Sequence, residues 1–167
     1  QNYNHDTGKF TREIPPWNSG KPNLFYSLTQ QKVKQLSLDS LQAGFDSLQI
    51  RIWYDYSLIS LRKLLIIKRA DSSWMATLYT LTVDWNYKNE TEIIKTKTFS
   101  NVIPQNGWDN FLKKLFALQI SNLPDMADIK GLEDGWTDGI AYHVEVATKK
   151  QYRFYGYHLQ NKFQEFW

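Results

Sequence analysis

The sequence predicts an α+β fold, an antiparallel sheet of about six strands with one or two helices packed on it, in the order α-ββββ-α-ββ-α. Three observations carry this expectation. Between residues 48 and 99, four short segments rich in β-branched and aromatic residues are separated by turn signals. Trp108, Phe111, Leu112, Leu115 and Leu118 then recur at the spacing of one helical face. Finally, residues 140–147 and 151–158 flank Thr148-Lys149-Lys150 as two arms of a hairpin.

Taken in chain order, residues 1–22 read as an extended N-terminal arm, because Pro15-Pro16 and Gly20-Lys21-Pro22 break regular structure. Residues 23–167 read as a single α+β domain, with a helix expected to continue beyond Trp167. A weak helical pattern over 24–43 has Leu24, Leu28, Val33, Leu36 and Leu41 as anchors. Ser37 could cap a short helix that ends at Gly44, where a left-handed residue is tolerated.

The strands follow. Leu48, Ile50, Ile52 and Tyr54 alternate on one side of residues 48–55. Residues 62–69 form a mostly apolar second strand, Asp71-Ser72-Ser73 a turn, 74–85 a long third strand and 91–99 a fourth. Connections this short favour antiparallel neighbours. Asn106 is the expected cap of the helix, Asp109 suits its positive end, and Pro124 is expected to end it. Asp134-Gly135 and Asp138-Gly139 punctuate the loop at 121–139. A three-residue loop at 148–150 places Glu145 opposite Arg153 and His143 opposite Tyr155, and puts Tyr142, Val144, Val146, Tyr152 and Phe154 on the core face. Residues 160–167 open an amphipathic helix with Phe163, Phe166 and Trp167 on one side.

Composition narrows the function. The apolar fraction is 42 %, and seven Trp, ten Tyr and nine Phe supply material for a packed core. A net charge of +3, with Lys and Arg scattered, argues against nucleic acid as a partner. No apolar run approaches the roughly 18 residues of a membrane-spanning helix. The absence of Cys excludes disulfides, thiol catalysis and Cys-ligated zinc. The chain begins at Gln1, and a polar lead-in of this kind is what signal-peptide removal leaves, so export to the periplasm or cell surface is expected. The alternative is a chain trimmed of its true start.

No nucleophile elbow, phosphate loop, dinucleotide fingerprint or HExxH motif is present, so no catalytic residue, metal ligand or cofactor is assigned. His143 and Glu145 share a strand face and could move protons or bind metal, whereas a cross-strand pair of Glu145 with Arg153 is the plainer explanation. Asp125, Asp128, Glu133, Asp134 and Asp138 do not follow the spacing of a calcium loop. Asn89-Glu90-Thr91 matches the glycosylation acceptor pattern, which matters only in a eukaryotic secretory route. The expected binding face is the set Arg51, Trp53, His143, Glu145, Arg153, Tyr155 and Tyr157, which the strand pattern turns away from the core and which combines residue types enriched at interaction hot spots. A helix laid over that face would make it a second core instead.

Ile50-Arg51-Ile52-Trp53, Trp74-Met75-Ala76-Thr77-Leu78-Tyr79, Gly107-Trp108, Leu123-Pro124-Asp125, Asp138-Gly139 with Tyr142 and Val144-Glu145, and Tyr152-Arg153-Phe154-Tyr155-Gly156-Tyr157 occur in this order. Over roughly residues 45–167 the chain resembles a group of uncharacterised exported proteins of Bacteroidetes-type bacteria. The resemblance implies an envelope or surface location and a C-terminal helix, and it implies no activity. The expected function is a non-catalytic exported protein-binding domain, an accessory subunit of a bacterial cell-envelope complex whose partner is another envelope protein. A carbohydrate- or small-ligand-binding module and a hydrolase using His143 and Glu145 are the alternatives.

Overall fold

Alternation in the strands and two amphipathic helices produce one sheet with a helix on each face. The computed structural model describes residues 9–16, 23–130 and 139–159. In chain order these are β1 (Thr11–Glu13), α1 (Leu24–Gln35), β2 (Leu48–Tyr56), β3 (Leu61–Ala70), β4 (Ser73–Asn86), β5 (Thr91–Val102), α2 (Gly107–Ala117), a 3₁₀ turn (Met126–Asp128), β6 (Ile140–Thr148) and β7 (Gln151–Leu159). The sheet has seven strands in the order β1-β7-β6-β2-β3-β4-β5. The fold is α+β, as expected, and the six anticipated strands pair antiparallel. The seventh, β1, lies in the anticipated arm and runs parallel to β7, with Thr11 opposite Gln151. Arg12 fastens it by donating from Nε and Nη2 to the Gln42 carbonyl at 3.2 and 2.9 Å. None of the helices among the described residues is long and apolar enough to cross a membrane. The anticipated C-terminal helix and the Asp134-Gly135 turn lie outside the described residues.

The β6–β7 register corrects the expected hairpin. Ala147 faces Tyr152, so only Lys149 and Lys150 form the loop. Thr148 Oγ1 holds it by accepting from the backbone N–H groups of Lys150 and Gln151, both at 3.2 Å. One residue fewer in the loop moves every side chain of β7 to the opposite face. Glu145 therefore faces Phe154, not Arg153, and His143 faces Gly156, not Tyr155.

Helix ends are set by left-handed residues rather than by the expected caps. α1 stops at Gln35 because Ser37 takes φ 54°, and its N–H bonds back to the Lys34 carbonyl, so Ser37 ends a helix instead of starting one. Asn23 caps the other end, its Oδ1 accepting from the Tyr26 N–H at 3.0 Å. α2 stops before Gln119 (φ 52°), well ahead of Pro124, and Leu118 is 66 % exposed, outside the buried stripe. Asn106 precedes α2 but makes no side-chain cap.

Two cores result. On one face α2 lays Leu115 with Trp108 and Phe111 against Ile50, Ile67, Val144 and Val146. On the other, α1 and the segment after it cover Trp53, Leu64, Ile66 and Leu81 with Val33 and Leu36, and Tyr152, Phe154 and Ala147 with Leu41, Phe25 and Tyr26. Leu24, an expected anchor of α1, is 44 % exposed. The helix instead turns Thr29, Lys32 and Val33 inward.

Candidate functional site

Burying a lysine on the sheet-facing side of a helix requires carboxylates beneath it. β2 supplies Asp55 and β5 supplies Glu92. Lys32 Nζ lies 2.6 Å from Asp55 and 3.4 Å from Glu92, and 5.3 Å above the Trp53 ring. Arg62 of β3 closes the group, with Nε 3.3 Å from Asp55 and Nη2 bonded to Glu92 at 2.5 Å. Its Nη1 donates to the carbonyls of Tyr56, Ile59 and Leu61. Two cations thus meet two carboxylates, and the guanidinium is fully engaged.

A second ionic group lies one step along the same face. Arg51 on β2 and Glu145 on β6 are cross-strand neighbours, 3.8 Å apart and 1 % and 0 % exposed. Glu145 accepts from Trp53 Nε1 (3.0 Å), Tyr152 OH (2.9 Å) and Gln30 Nε2 (3.0 Å). Arg51 donates to the Asp39 carbonyl at 2.7 Å. Burial, and then the negative charge of Glu145, push the Tyr152 hydroxyl far above its ordinary pKa, so it stays a donor.

His143 belongs to the first group. Its Nδ1 is 3.0 Å from Asp55 Oδ2, and its ring stacks between Phe25 (4.8 Å) and Phe154 (5.9 Å). Burial by itself would raise the Asp55 carboxyl, but Lys32 and His143 together hold it well below the usual carboxylate range. An imidazole oriented by a carboxylate is half of a general-base device. Here, however, the ring is 2 % exposed and Nε2 is buried without a partner. His143 and Glu145 fall into separate networks, and neither reaches a surface. Among the described residues, no group of three His, Asp or Glu side chains could hold a metal ion.

The absence of a side chain at Gly156 makes room for that imidazole. A Cβ there would sit 3.0 Å from His143 Cδ2 and 3.4 Å from the Tyr142 carbonyl. Because Asp55 and two aromatic rings fix the imidazole, Gly156→Ala is expected to destabilise the fold by about 1–3 kcal/mol. A urea titration of both proteins checks it.

The seven residues of the expected binding face are therefore divided between the two faces of the sheet. Arg51, Trp53, His143 and Glu145 lie under α1, each at most 2 % exposed. Arg153, Tyr155 and Tyr157 lie on the opposite face, where they hold down the segment after α2. Tyr155 donates to the Ile120 carbonyl (2.7 Å), Tyr157 to that of Pro124 (2.5 Å), and Arg153 to those of Ser121 and Leu123 (2.6 and 3.0 Å). Arg153 also pairs with Glu13 of β1 at 2.6 Å, not with Glu145.

Beside the Lys32–Asp55–Arg62–Glu92 group is a cleft of about 170 Å³, walled by Phe25, Leu28, Tyr56 and Ala141. Ser57 and Gly139 tie its rim, Ser57 Oγ donating to the Gly139 carbonyl and accepting from the Gly139 N–H. The volume falls below the roughly 300–1,000 Å³ typical of ligand pockets, and the charges on its floor are already paired.

The least satisfied surface is β5, at the end of the sheet. Residues 95–101 are all exposed, on both faces of the strand, because α1 ends before them and α2 reaches no further than Val102. Phe99 rests on Tyr79 (5.4 Å) yet is 66 % exposed, and Ile103 is 80 % exposed. Lys95 makes one solvent-exposed pair with Asp84 at 3.5 Å. At the start of the strand, Gln35 donates to the Glu92 carbonyl (2.7 Å) and accepts from the Ile94 N–H (2.9 Å). Its carboxamide thus occupies the backbone groups that a further strand would take. Beyond Ile94 no other strand pairs with the outer edge of β5 among the described residues. The sequence reading did not anticipate this edge, because strand order is not visible in local pattern; the one available signal was the Thr- and Lys-rich run from Lys95 to Thr98, typical of an exposed strand.

No family model, curated protein or solved structure matches the chain.

Proposed function

We propose that this chain is a non-catalytic protein-binding domain that takes an extended segment of another protein onto the outer edge of β5. The observation that supports the proposal is the seven-residue stretch 95–101, exposed on both faces in an edge strand. Such an edge offers main-chain hydrogen bonds for affinity and alternate side chains for selectivity. An exported setting, as an accessory subunit of a bacterial envelope complex, belongs to the same proposal; its support is the sequence resemblance.

The test is co-purification of the tagged chain at native levels, with and without Phe99→Glu. Because Phe99 is largely exposed, the substitution is expected to leave the unfolding midpoint unchanged while reducing partner recovery at least tenfold. Equal recovery by both proteins would refute β5 as the docking edge. A small-ligand or carbohydrate site is the second reading, favoured by the aromatic-walled cleft beside Asp55. A thermal-shift panel of sugars in which none raises Tm removes it.

A further inference from the structure

We infer that the segment β5 accepts is short, extended and acidic, and that Gln35 sets the point at which it stops. This rests on the reading of β5 as a docking edge and adds the partner's chemistry. Between Lys95 and Val102 the strand carries two lysines and no carboxylate. Lys97 has no ion-pair partner among the described residues, and the Lys95–Asp84 pair is exposed on both sides, which makes it weak. Lys97 and Phe99 lie on one face, opposite Leu81 and Tyr79 of β4, while Thr96, Thr98 and Ser100 lie on the other. A complementary strand therefore sets a carboxylate opposite Lys97, an apolar side chain two residues on opposite Phe99, and small β-formers between them.

The length follows from Gln35. Its carboxamide fills the outward backbone groups of Glu92 and Ile94, so a partner strand can run along 95–102 and no further toward the turn. A second copy of the chain would bring its own Lys95 and Lys97 to the edge, whereas an acidic segment of a different protein supplies the missing charge.

Two eight-residue peptides test this, one repeating Glu-Thr-Val-Thr and one repeating Lys-Thr-Val-Thr, titrated into the full chain at low salt. The acidic peptide is expected to bind at least tenfold more tightly, and Lys97→Glu to reverse the preference. A twelve-residue version of the acidic peptide is expected to gain affinity only in Gln35→Ala, while the eight-residue peptide binds that variant and the wild type alike. Equal affinities for the two short peptides, no binding by either, or an unchanged preference in Lys97→Glu overturns the inference. If native-partner recovery still depends on Phe99 in that case, the docking edge stands and only the acidic partner falls. If recovery is indifferent to Phe99 as well, both fall.

Discussion

Glu145→Ala is expected to lower the free energy of unfolding by about 4–5 kcal/mol, the upper part of the range for breaking a buried ion pair. Removing this carboxylate deprives the Arg51 guanidinium, 1 % exposed, of the ion-pair partner it has at 3.8 Å. The same change deprives Trp53, Tyr152 and Gln30 of their common acceptor, and each buried donor left without one costs about 1–3 kcal/mol in isolation. These costs overlap, since relaxation around one group relieves its neighbours, so the sum is not expected. Against a total stability of about 5–15 kcal/mol, the variant should be largely unfolded at modest urea. Glu145→Gln keeps an acceptor oxygen and loses only the charge, so a smaller loss is expected. Urea titrations followed by circular dichroism, with all three proteins at one pH, decide it. Equal stability of Glu145→Ala and wild type would mean that Arg51 does not depend on its counter-charge.

The second large effect concerns Asp55. Asp55→Asn is expected to cost about 3 kcal/mol, because Lys32, 2 % exposed, then keeps only Glu92 at 3.4 Å. The pH dependence has a definite sign. The folded-state pKa of Asp55 is depressed below its unfolded value of about 3.9, so the folded protein resists protonation that the unfolded chain accepts. The stability contributed is complete above that unfolded value and is lost as the pH falls below about 4 toward the folded pKa. Wild-type urea midpoints are expected to drop between about pH 5 and pH 2, and Asp55→Asn to show a flatter profile over the same interval. Parallel profiles would remove Asp55 from the acid response.

Local pattern carried most of the fold. Alternation in Leu48–Tyr56 placed that strand within a residue, and the helical stripe of Trp108, Phe111, Leu112 and Leu115 placed the start of α2 but not its end, which comes well before Pro124. β1 escaped notice because Thr11-Arg12-Glu13 has no apolar alternation and pairs with a strand about 140 residues away. The candidate site was less legible, and for one identifiable reason. Loop length at Lys149-Lys150 sets which face each residue of β7 occupies, and a two-residue or a three-residue loop is equally compatible with Thr148-Lys149-Lys150. That ambiguity alone grouped Arg153, Tyr155 and Tyr157 with Arg51 and Glu145. The burial of Arg51, Trp53, His143 and Glu145 has a different cause. Polar side chains inside a sheet-facing core look like surface residues until the helix that covers them, with Gln30 bonded to Glu145 and Lys32 to Asp55, is placed.

The two ends of the sheet are unlike, and this limits stoichiometry. At the β7 end, among the described residues, the chain's own β1 takes up Gln151–Arg153, and Asp125 and Met126 accept from the backbone N–H groups of Gly156 and His158, so that margin is occupied. At the β5 end seven residues stand open. A sheet extendable at both margins can propagate head to tail into a fibre. One that can be extended only at a single margin terminates after one addition, so any complex formed there is a discrete pair rather than a polymer.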